Sequence, residues 1–162
     1  MSKFKGGLIL LIIFLLSAFV AFYFNDSYEK AIRKLYISFS HGKISFIHPK
    51  IYLRFASISF VLSFSLIITT LCFFIYHQSI KQRLISIILG LILFFSATLL
   101  QCYIDSMMKI IECTICNDGT RKLHYSEINY DFIFIVSLLF AILPAATIET
   151  RKLVKKSKKE KI

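Results

Sequence analysis

Apolar residues along this chain are gathered into four long runs instead of recurring at the steps of a half-buried strand or surface helix. Residues 6–24, 55–76 and 84–104 carry no charge, and residues 132–148 form a shorter run between Asp131 and Glu149 that contains Pro144. A hydrocarbon core about 30 Å thick needs about 20 apolar helical residues to cross it, and backbone amides in lipid must bond within their own segment. The pattern therefore predicts an all-α, integral membrane four-helix bundle, a single membrane domain over residues 1–162. Outer loops are expected at 25–54 and 105–131, and a basic tail at 149–162. The first run reads as an uncleaved anchor, because bulky Phe22 and Tyr23 follow Ala18 and Ala21 where a leader peptide would have small residues.

The loops change character. In the first, Tyr28, Ile32, Leu35, Tyr36 and Phe39 recur at three- and four-residue steps, with Glu29, Lys30, Arg33 and Lys34 on the other side. That spacing predicts an interfacial amphipathic helix with its apolar stripe on lipid. The connection at 77–83 is short, so the second and third spans are expected to pack side by side, through Ser59 and Ser63 on one and Ser86, Gly90 and Ala97 on the other.

Composition sharpens this picture. The chain is 57% apolar, with 17 Phe and a mean hydropathy of +0.71, which disfavours a water-soluble enzyme or nucleic-acid binder. Its 20 basic and 9 acidic residues are unevenly placed. With four spans, the side holding both termini carries eleven basic and two acidic residues, against nine and seven on the other. Both termini are therefore expected in the cytoplasm, with the protein in a plasma or inner membrane.

Candidate chemistry is sparse. No ionisable residue lies within the four runs, which disfavours a proton- or ion-coupled transporter. Cys113 and Cys116 form a CxxC pair in the second outer loop, and Cys102 lies near the outer end of the third span. Such a pair can close a readily opened ring and exchange disulfides, or form a structural bond. Cys113, Cys116 and His124 supply three zinc-type ligands, with Asp118, His41 or His48 as fourths, although the spacing matches no standard zinc motif. Four spans with an outer CxxC resemble the quinone-coupled disulfide-forming membrane oxidoreductases. That family also carries a CxxC in its first outer loop, where residues 25–54 have no cysteine. The quinone-reducing epoxide-reductase group places its CxxC at the start of the last span, some 15 residues beyond Cys116 here.

The expected function is thus contact in the bilayer, as an accessory, assembly or immunity-type protein meeting a membrane-protein partner or further copies of itself. No cofactor and no nucleic acid are expected. Thiol-disulfide exchange is the alternative. Reporter fusions check the orientation: those at Gln82 and the carboxyl end should report the cytoplasm, and those at Gly42 and Gly119 the opposite side.

Overall fold

Nothing in residues 25–39 stops a helix, and the first span does not end at the edge of its apolar run. In the computed structural model, which describes residues 3–47, 57–76, 78–112 and 120–159, α1 runs unbroken over Lys3–Phe39. Its 37 residues climb about 55 Å at 1.5 Å each, so the last 15 stand about 22 Å beyond the apolar run. Pairs one turn apart carry the helix past the turn-forming Asn25-Asp26-Ser27: Asn25 donates to Glu29 at 3.1 Å, Lys30 meets Asp26 at 2.6 Å and Arg33 meets Glu29 at 3.4 Å. It ends where the amides of His41 and Gly42 turn back to the carbonyls of Ser38 and Ile37. Both residues have positive φ, 49° and 79°, the left-handed cap that closes many helices.

Three further helices follow: α2 (Ile58–Tyr76), α3 (Ile80–Ile111) and α4 (Tyr130–Lys159). Like α1, each is long and apolar enough to cross a membrane. Between them lie β1 (Ile44–Phe46) and β2 (Arg121–Leu123), paired in parallel with Ile44 opposite Arg121 and Phe46 opposite Leu123. This ribbon ties the α1–α2 connection to the α3–α4 connection. Three-residue strands are too short to show alternation, and the sequence pattern did not predict them.

The helices pack in the cyclic order α1, α2, α4, α3. Ser57 and Ser59 at the start of α2 reach Asp131 at the start of α4, and Phe39 and Tyr103 meet near the ends of α1 and α3. Both of those neighbouring pairs are therefore parallel, while α1 with α2 and α3 with α4 are antiparallel.

The expected pairing of the second and third spans is corrected here, because α2 and α3 scarcely touch. The short connection holds their ends together, but α4 packs on both and separates them. Gln78, buried in that connection, donates to the Ala145 carbonyl of α4 at 3.1 Å and accepts from Ser86 at 2.7 Å. Gly90 faces α4 as well: a Cβ added there would sit 2.8 Å from the Ala141 carbonyl oxygen. Ser59 binds Asp131 of α4, Ala97 gives its carbonyl to Gln101 on its own helix, and Ser63 is half-buried. Where α2 and α3 diverge, an apolar groove of about 310 Å³ opens over Phe64, Gly90, Phe94 and Phe134.

The core centres on Phe134. Its ring lies 4.4 Å from Phe60, 4.9 Å from Tyr28, 5.6 Å from a parallel Phe64 and 6.0 Å from Phe94. These are rings from every other helix. Among the described side chains of its apolar half, α1 buries Ser17 and Ala21, both small, and small residues let helix backbones approach closely.

Enlarging Gly90 forces α3 and α4 apart. Gly90→Val should lower stability by about 1–3 kcal/mol, with Gly90→Ala less affected, measured by denaturant titration in mixed micelles. Equal stability of Gly90→Val and the parent would contradict the close approach.

Candidate functional site

Polar side chains concentrate at the end of the bundle that carries the ribbon. The stripe predicted to rest on lipid is packed against protein instead: Tyr28, Ile32 and Tyr36 retain 5%, 1% and 0% exposure, and Leu35 and Phe39 pack against the same core. The reason is the continuity of α1, which carries this segment upright beside α3 and the start of α4 instead of releasing it as a separate helix. The polar face divides too. Lys30 keeps 63% of its side chain exposed, whereas Glu29 keeps 3% and Arg33 12%.

Glu29 and Arg33 anchor the cap. The Glu29 carboxylate accepts from Asn25 and pairs with Arg33 at 3.4 Å, so the buried charge is matched by a cation and a hydrogen bond. The Arg33 guanidinium lies 4.4 Å over the Tyr125 ring and donates to the Tyr130 hydroxyl at 3.4 Å. One side chain of α1 thus holds the segment leading into α4. A 3₁₀ turn, Tyr125–Glu127, places Tyr125 under that guanidinium, and its own start is fixed by the His124 amide donating to Glu127 at 2.7 Å.

Two further carboxylates join helices. The Tyr36 hydroxyl of α1 donates to Asp105 of α3. Asp131 accepts from Ser57 at 2.6 Å and from Ser59 at 2.7 Å. Ser57 also accepts from the Phe60 amide, and Asn129 from the Phe132 amide, so both helix starts are capped. The ribbon buries Ile44 and Leu123, and Arg121 reaches Glu112 at 3.3 Å, Glu127 at 3.8 Å and the Lys109 carbonyl.

Deeper in the bundle, hydroxyls are bonded one turn back on their own helices. Ser65, Thr69, Thr98 and Ser137 donate to Val61, Ser65, Phe94 and Ile133 carbonyls at 2.7–2.9 Å.

Of the residues singled out by sequence, Cys113 and Cys116 lie outside the described residues, as do His48 and Asp118. Cys102 is fully buried and free, Cys72 is free, and His41 and His124 are exposed. Among the described residues, no three His, Cys, Asp or Glu side chains gather as a metal site would require. The sequence pattern places Glu29 and Arg33 on a polar helix face but does not reveal that they, Tyr125, Tyr130, Asp105 and Asp131 join the helices. The four-residue steps Asn25, Glu29, Arg33 were the one available signal. No family model, curated protein or solved structure matches this chain.

Losing the stacked guanidinium should loosen the cap. Arg33→Lys keeps the charge but not the planar face, and should cost about 1–2 kcal/mol. Faster amide exchange at Tyr125–Tyr130, with the spans unchanged, is the expected signature. Unchanged exchange there would show that Arg33 does not hold this segment.

Proposed function

We propose that this protein is a non-catalytic multi-pass membrane protein that works through contact, as an accessory, assembly or immunity-type subunit. Its basic tail and both termini lie in the cytoplasm of a plasma or inner membrane, and its cap meets a membrane-protein partner on the opposite side. The observation that carries this reading is how the polar groups are used. Glu29, Arg33, Asp131, Tyr36 and the span hydroxyls bond to other groups of the same chain, which builds a platform and not a relay or a conduit. Lys30, Lys34, Lys43 and Lys122 remain exposed on that platform, giving it a basic surface suited to an acidic partner. Upright α1 lifts it clear of the headgroups.

The alternative, thiol-disulfide exchange, rests on Cys113 and Cys116 following the outer end of α3. Photo-crosslinking in native membranes separates the two. A reactive side chain at Lys34 or Lys43 should yield one discrete adduct, absent when the probe is at lipid-facing Leu99 and retained in the Cys113→Ser, Cys116→Ser double variant. No adduct at the cap, with a partner trapped as a mixed disulfide through one cysteine alone, would instead establish the exchange enzyme.

A further inference from the structure

Below the cap, where the outer ends of α3 and α4 meet, is a cavity of about 300 Å³ lined by Gln101, Ile104, Asp105 and Met108 of α3, Phe132 and Ile133 of α4, and Glu127 and Asn129 just before α4. The α3 contributors stand at the three- and four-residue steps of a single helix face. Two carboxylates line this space, and none of its lining residues is a cation. Among the described residues Asp105 has no Lys, Arg or His within ion-pair distance; its one hydrogen bond comes from the neutral hydroxyl of Tyr36. Glu127 meets Arg121 only at 3.8 Å.

These features select a ligand. A half-buried carboxylate near the end of a membrane span is costly without a countercharge. It asks for a cationic donor. A divalent metal ion is a poor match, because it wants six or more oxygens and this cavity's other walls are Ile104, Met108, Phe132 and Ile133. An alkylammonium satisfies both halves: N–H donors for Asp105 and Glu127, and a chain for the apolar walls. We infer that the cavity between the outer ends of α3 and α4 binds the primary ammonium group of an amphiphile, with Asp105 as its counter-ion. This site shares none of its lining residues with the lysine-bearing surface proposed above.

The test uses n-octylamine, cationic at neutral pH, titrated calorimetrically into the full chain in phosphatidylcholine nanodiscs, with empty nanodiscs subtracted. Saturable binding is expected for octylamine and not for 1-octanol. Asp105→Asn should weaken it about tenfold or more, and Glu127→Gln by a smaller factor. Should Asp105→Asn fail to fold, Met108→Lys supplies a tethered ammonium at a half-exposed position and should abolish octylamine binding while raising the unfolding temperature. Competition by phosphatidylethanolamine in the nanodisc assigns the ammonium to a lipid headgroup, and absence of competition assigns it to a free amine; the site stands in both cases. Equal heats from octanol and octylamine, or binding untouched by both Asp105→Asn and Met108→Lys, would overturn the assignment.

Discussion

For helices with the length and polarity of membrane spans, a lipid surround would be as apolar as the core, and burying apolar side chains would bring little gain. What holds this bundle is instead the fit of surfaces, and Phe134 is where the fit converges. Its ring touches aromatic rings of α1, α2 and α3 within 6.4 Å. Ring edges and faces meet at tilted, perpendicular and parallel angles, each such pair contributing about 0.5–1.5 kcal/mol beyond its area. Glycine and serine do the complementary work: Gly90 admits the Ala141 carbonyl, and Ser17 and Ala21 keep α1 slim where it crosses.

Above that core the side chains turn from apolar to polar, and the chemistry changes with them. The same helix that presents Leu11, Leu15 and Phe19 outward along its apolar half turns Glu29 and Arg33 inward beyond it. In water a buried charge must be matched, and the cap matches Glu29 with Arg33 and Asn25, and Arg33 in turn with two tyrosines. Asp131 joins the starts of α2 and α4 through two serines. The neighbouring Asp105 is the exception, with a phenol for company and an open space beside it.

The four helices were legible in the sequence because crossing a bilayer imposes a length and a polarity that few other segments meet. Their neighbours were not. A three- or four-residue turn constrains two helix ends but not the gap between their far ends, and nothing in the pattern says that α4 enters it. Small residues likewise announce a close contact without naming its partner, so Gly90 and Ser86 were assigned to the wrong helix. The stripe Tyr28, Ile32, Tyr36 was visible, but a stripe does not distinguish lipid from protein as its cover. The pairs from Asn25 to Glu29 and from Asp26 to Lys30 carry α1 straight through Asn25-Asp26-Ser27. Arg33 over Tyr125 joins residues 92 positions apart in the chain, which no local pattern records.

The two helical hairpins, α1 with α2 and α3 with α4, are fastened at opposite ends of the molecule. At one end the parallel ribbon bonds the segment after α1 to the segment before α4, with the Ile47 amide on Leu123 and the Arg121 amide on Lys43. At the other end Gln78 fastens the α2–α3 turn to Ala145, just past Pro144, where the helix has lost an internal hydrogen bond. A hinge needs one free edge, and clasps at top and bottom leave none. Fastened at both ends, the two hairpins have no free edge about which to rock apart.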